Sequence, residues 1–140
     1  MLWEEAKRLE IQDAVVITGF LPRHEAWDFV RRADVCVSPF FPTPILNSTS
    51  PTKLIEYMAM GKAVVANEHP EQRTVLAESG AGLCVPYEED AFSEAILYLL
   101  DHPQEAEEMG NRGRAYVESR RDYEFIAEMV HSRLCDLLEH

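Results

Sequence analysis

Four short apolar runs restrict what this chain can fold into more than any other feature. They are residues 14–18 (AVVIT), 35–38 (VCVS), 63–66 (AVVA) and 83–85 (LCV). None alternates apolar with polar, and β-branched residues dominate, which is the pattern of strands buried on both faces. Helical periodicity fills the intervals. The spacing predicts helices over 2–9, from Pro22 to Ala33, over 51–60, over 69–78, from a cap at Asp90 to Leu100, from Pro103 onward, and over 123–138. Gly61 stands where a helix-terminating glycine belongs, and Pro70 suits a first helical position. Strands separated by helices in this way make a parallel sheet covered on both sides. The fold class is therefore α/β: a doubly wound parallel sheet of about four strands with flanking helices. The last helix carries an apolar stripe of Ile126, Met129, Val130, Leu134, Leu137 and Leu138, expected to pack against this same domain.

Ligands of doubly wound sheets lie in the crevice beyond the carboxyl ends of the strands. Two stretches fall there: 19–22 (GFLP) and 39–50 (PFFPTPILNSTS). The second holds three prolines and several hydroxyl or amide side chains, and reads as a loop.

Charge narrows the partners. Acidic residues outnumber basic ones 25 to 13, for a net charge of −12. Nucleic acid and anionic lipid are disfavoured, because both are held by clustered Lys and Arg. An anionic small ligand must be held by local features. No apolar run approaches the roughly 20 residues that span a bilayer, so no direct membrane insertion is expected. The charged N-terminus lacks the pattern of a secretory signal, which makes a cytoplasmic location the expectation. Cys36, Cys84 and Cys135 form no CxxC pair, and the five histidines are scattered. Reduced thiols and no metal site are expected.

The chemistry concentrates in residues 50–65, SPTKLIEYMAMGKAVV. Ser50 is placed as an N-cap and Pro51 as the first helical residue. Lys53 then falls in the first turn, where a cation opposes the helix dipole by about 0.3–1 kcal/mol. An anion at the helix start would offset that cost, and Thr52, Lys53 and Leu54 would present their N–H groups to it. The alternative is a solvated surface lysine behind an ordinary serine cap. Glu56 lies beside Thr52, one turn back, on the loop side of the helix. Its carboxylate is placed to accept two hydrogen bonds from vicinal hydroxyls, as on a ribose, or else serves only as a glutamate near the positive helix end.

Taken together, these motifs resemble the GT-B retaining glycosyltransferases of family 4, also called group 1. SPTKLIEYMAMGKAVV is similar to the family's donor-site helix and following strand, GFLP to its turn after a strand, ADVCVSPF at 33–40 to a strand end, and GAGLCVPYEEDAFSEAILYLL at 80–100 to its last strand and helix. The likeness runs from residue 1 to about 138. It implies that Glu56 binds the nucleotide ribose, that Thr52, Lys53 and Leu54 meet the diphosphate through their amides, and that Phe20 and Leu21 lie against the base. The family has two glutamates here. The second matches Glu56, and the first falls at Ser48, which leaves Asn47, Ser48 and Ser50 to contact the donor sugar.

The implied activity is transfer, with retention, from a nucleotide-diphosphate sugar to a glycan or lipid-linked acceptor in surface polysaccharide biosynthesis. No metal and no cofactor beyond the sugar-nucleotide substrate are implied. In the full-length protein the site would lie in the cytoplasm, at the inner face of the membrane. The resemblance also implies missing parts: an N-terminal acceptor-binding domain and the first two strands of this one. Residues 1–140 are thus expected to be a single partial domain, inactive alone. In the strand order 3-2-1-4-5-6 the absent pair belongs between 14–18 and the other strands, so an open edge and self-association are expected. Two other functions remain as readings: a non-catalytic nucleotide-sugar-binding fragment or degenerate relic, and an unrelated α/β interaction domain of flavodoxin-like type.

Overall fold

A computed structural model describes residues 2–138. Helix α1 (Leu2–Arg8) is followed by a 3-10 turn, Gln12–Ala14, and by α2 (Arg23–Arg32), which feeds β1 (Val35–Ser38). Then come a short α3 (Pro44–Asn47), α4 (Thr52–Ala59), β2 (Ala63–Asn67), α5 (Pro70–Ser79), β3 (Gly82–Val85), α6 (Glu89–Asp101), α7 (Pro103–Arg120) and α8 (Tyr123–Leu138). The strands are parallel in the order β1-β2-β3, with Val35 opposite Ala63 and Val64 opposite Gly82. This is the α/β wound topology that the sequence pattern predicts, reduced to three strands.

The central strand explains its own sequence. All five residues of β2 are buried, because helices cover both faces. On one side Val64 and Ala66 pack with Leu54 and Met58 of α4 and with Val75 and Leu76 of α5. On the other, Ala63 and Val65 pack with Ala95 and Leu99 of α6 and with Ala106 and Met109 of α7. A strand with no solvated face cannot alternate.

Helix α4 ends as its glycine predicts. Gly61 has φ 70°, its N–H bonds the Met58 carbonyl, and the Lys62 N–H reaches back to Tyr57. These two bonds are a Schellman closure, which needs a left-handed residue at that point. Helix α7 crosses directly over this turn. A Cβ on Gly110 would stand 2.0 Å from the Gly61 carbonyl oxygen, so only glycine permits the approach.

Five expectations are corrected. Residues 14–18 are not a strand: the chain leaves the 3-10 turn and runs on without pairing, with Val16 77% exposed. β-branched residues favour a strand only where a neighbour receives the ladder, and among the described residues no strand pairs with the outer edge of β1. The 39–50 loop contains a helical turn, α3, whose Leu46 N–H is capped by the Thr43 hydroxyl at 3.2 Å. Helix α4 starts one residue late, so Pro51, not Ser50, is its N-cap; helix α6 likewise takes Glu88 rather than Asp90 as its N-cap. Finally, the apolar stripe of α8 does not pack into this domain: no residue of α8 is buried, and Leu138 is 86% exposed.

Candidate functional site

In a parallel sheet, each connecting helix runs against the strands, so its start lies at the strands' carboxyl edge. Helices α2 and α4 both begin there, and one contact joins them. Arg23, the first residue of α2, approaches the Glu56 carboxylate at 3.5 Å between Nη2 and Oε1. The Arg23 guanidinium also lies over the Trp27 ring, 4.5 Å from its centroid. Glu56 remains 43% exposed and open to a ligand. The turn that precedes α2 carries Phe20 and Leu21. Phe20 is 98% exposed, whereas Leu21 is half-buried.

The start of α4 has the features of an anion site. Pro51 is buried and offers no side-chain cap to the first-turn amides. Thr52 and Lys53 are exposed, and no acidic residue stands in that turn to complement the dipole. Leu54 belongs to the core through its side chain, so its part in any site is its backbone N–H. An uncapped helix start with a lysine in its first turn suits an oxyanion.

The loop that leads into α4 is held from beneath by buried polar side chains. Asn67, the last residue of β2, bonds Phe40 twice: its Oδ1 accepts from the Phe40 N–H at 2.6 Å, and its Nδ2 donates to the Phe40 carbonyl at 2.9 Å. Gln72 of α5 accepts from the Ser38 hydroxyl at 2.6 Å and donates to the Ser38 and Asn67 carbonyls. His69 reaches the Leu46 carbonyl through Nε2 at 2.9 Å. Above this platform Asn47, Ser48 and Ser50 are exposed. The Ser48 hydroxyl donates to the Ile45 carbonyl at 2.7 Å, so its proton is directed into the local turn, leaving its oxygen as an acceptor.

The structure thus brings the beginnings of α2 and α4 together, with the 39–50 loop leading into α4. It does not place the expected residues around a hollow at the same edge of the sheet. A cavity of about 660 Å³ is lined by Val37, Pro39, Tyr87, Phe92, Ile96 and the acidic Glu88, Glu89 and Asp90, and none of the expected donor residues is among them. Val37, Tyr87 and the start of α6 place it at the same sheet edge but on the α6 side. Phe41 closes edge-to-face on Tyr87 nearby, with ring centroids 5.7 Å apart.

Asn67, His69 and Gln72 escaped the reading of the sequence. The signal was faint: a polar run, residues 67–72, that begins where the apolar stretch of β2 ends. Burial pushes the Cys36 thiol up to about 11 and raises the Tyr57 hydroxyl, the latter helped by the neighbouring Cys36 and Glu56 charges. Among the described residues no three His, Cys, Asp or Glu side chains converge as metal ligands would, and no helix is long and apolar enough to cross a membrane.

Comparison with known proteins shows the family. Residues 1–116 match the family described as glycosyl transferases group 1. The chain is 30% identical over 99 residues to the alpha-monoglucosyldiacylglycerol synthase of Streptococcus pneumoniae, an alignment covering 71% of this chain and 21% of that protein. It is 31% identical over 98 residues to the D-rhamnosyltransferase WbpZ of Pseudomonas aeruginosa, covering 69% and 26% respectively. The sucrose-phosphate synthase of Thermosynechococcus elongatus shares the fold over 99% of this chain and 34% of its own, with a TM-score of 0.79 at 24% identity. The chain spans about a fifth to a quarter of the length of these curated relatives.

Proposed function

Because the chain belongs to the group 1 glycosyl transferases, we propose that it is the donor-binding part of such an enzyme and holds a nucleotide-diphosphate sugar at the start of α4. The observation that carries this reading is the pairing of an uncapped helix start with a carboxylate one turn further on, tied to α2 through Arg23. The amides of Thr52, Lys53 and Leu54 receive the diphosphate, and the Lys53 ammonium adds charge. The two oxygens of Glu56 accept from the ribose hydroxyls. Phe20 and Leu21 lie against the base, while Asn47, Ser48 and Ser50 face the sugar.

In the reaction, the bond from the anomeric carbon to the diphosphate breaks as the acceptor hydroxyl oxygen bonds that carbon, its proton leaving with the diphosphate, on which negative charge grows. Fixed N–H dipoles aimed at that charge lower the barrier without reorganising. Transfer with retention, and an acceptor held by a separate N-terminal domain, complete the proposal. One relative is named for a diacylglycerol glycolipid and the other for rhamnosyl transfer. The acceptor class is accordingly left as a glycan or lipid-linked molecule, in surface polysaccharide biosynthesis.

Calorimetric titration of UDP, GDP and ADP tests the donor site. One of them is expected to bind, and Glu56→Ala to weaken it by about 10- to 100-fold, the loss of hydrogen bonds to a charged acceptor at roughly 1.5–3 kcal/mol. Failure of all three to bind the unsubstituted chain would end the reading. A second reading, a binder without catalysis, draws on Ser48, whose hydroxyl proton goes to Ile45 where the family has a glutamate. Sugar transfer by this chain joined to an acceptor-binding domain would remove it.

A further inference from the structure

We infer that His69 is a positioning residue for the donor sugar, acting through the Leu46 carbonyl; this rests on the donor-site reading above. His69 is 1% exposed and stands at the N-cap of α5, at the carboxyl end of β2. Its Nε2 lies 2.9 Å from the Leu46 carbonyl oxygen. A carbonyl only accepts, so Nε2 carries the hydrogen and Nδ1 is left as a bare acceptor. That Nδ1 is buried and has no hydrogen-bond partner. A side chain kept only to fill the interior would leave no such orphan, since an unpaired buried acceptor destabilises the fold.

The bond to Leu46 lands at a decisive point. The Leu46 carbonyl also accepts from the Thr49 N–H at 3.0 Å and from the Thr49 hydroxyl at 2.7 Å. It is the node around which residues 46–49 turn. Asn47 and Ser48, two of the three side chains assigned to the sugar, sit between the ends of that turn. Helix α3 has only four residues and cannot hold them alone. The first end of the loop is fixed at Phe40 by Asn67, and the Phe40 ring leans on the imidazole, centroids 5.2 Å apart. His69 fixes the second end. The nucleotide contacts, by contrast, belong to α4 and to the turn before α2, which His69 does not hold. Its loss is therefore read in the sugar and not in the nucleotide.

The test uses the full chain with His69→Phe and His69→Gln. A glutamine amide places its N–H close to where Nε2 stood, whereas phenylalanine fills the space without a donor. Each protein is titrated with UDP, GDP and ADP and with UDP-glucose, GDP-mannose and ADP-glucose. In His69→Phe the affinity for the bare nucleotide is expected to stay within about twofold, while the ratio of sugar-nucleotide to bare-nucleotide affinity falls by up to about tenfold, the worth of one hydrogen bond. His69→Gln is expected to restore the ratio. Should His69→Phe not fold, His69→Asn, whose amide stops short of Leu46, takes its place. An unchanged ratio overturns the inference, and so does a parallel loss of both affinities or a failure of glutamine to rescue. Absence of any nucleotide binding by the unsubstituted chain overturns the donor site itself, and this inference with it.

Discussion

Single residues divide into those whose role follows from their type and those whose role needs the fold. The helix that carries Glu56 and the glycine, Gly61, that ends it were readable because helix periodicity and helix termination are local. Asn67, Gln72 and His69 were not, because their partners, Phe40, Ser38 and Leu46, lie 23 to 34 positions away. Cys36 belongs to the second kind. Its thiol is held neutral by burial, raised from 9.0 to about 11. The folded chain binds that proton more tightly than the unfolded one, so the contribution is intact below pH 9 and is lost as pH rises toward 11. Chemical denaturation across that window is expected to show stability falling in the wild type, and falling less in Cys36→Ala relative to its own value at pH 8. Gly110→Ala is expected to lower stability by about 1–3 kcal/mol, since the new methyl group meets the Gly61 carbonyl and backbone must move. A thermal melt unchanged by that substitution would contradict the close crossing of α7 over α4.

Elements were legible where their signal was complete in the local sequence. Strand β1, the core of β2 and β3, and helices α5 and α8 fall where the pattern puts them. Residues 14–18 fail as a strand because pairing is a property of two segments, and among the described residues none pairs with them. Helix α3 was hidden by Pro42 and Pro44, which read as loop, although proline at a first helical position is compatible with a helix. The approach to the site went with it: the start of α4 was foreseen to within one residue, the way its approach is tethered was not. Helix α8 stands at the other extreme, formed on schedule but burying none of its residues. Ending the chain at Arg121 is therefore expected to shift the melting temperature by only a few degrees, a loss of about 1 kcal/mol or less. A collapse of the cooperative transition would instead mean that α8 is covered in solution.

At the scale of the molecule, the sheet has an open side. Among the described residues strand β1 pairs with β2 alone, and Val37 on it is exposed. An uncovered edge flanked by apolar side chains invites a second chain. Sedimentation velocity is expected to show mass increasing with concentration, and Val37→Lys to reduce that increase. A strictly monomeric wild type at high concentration would show that the edge is protected.

The amide clamp at the end of β2 has a consequence for how this scaffold can change. Asn67 imitates a neighbouring strand, offering Phe40 the donor and acceptor that a ladder would supply. The backbone path into the loop is thus written in the framework and not in the loop's own residues. Exposed positions such as Pro42 and Ile45 can drift in size and polarity while the entry point stays fixed, so the loop can change its surface without rebuilding the domain.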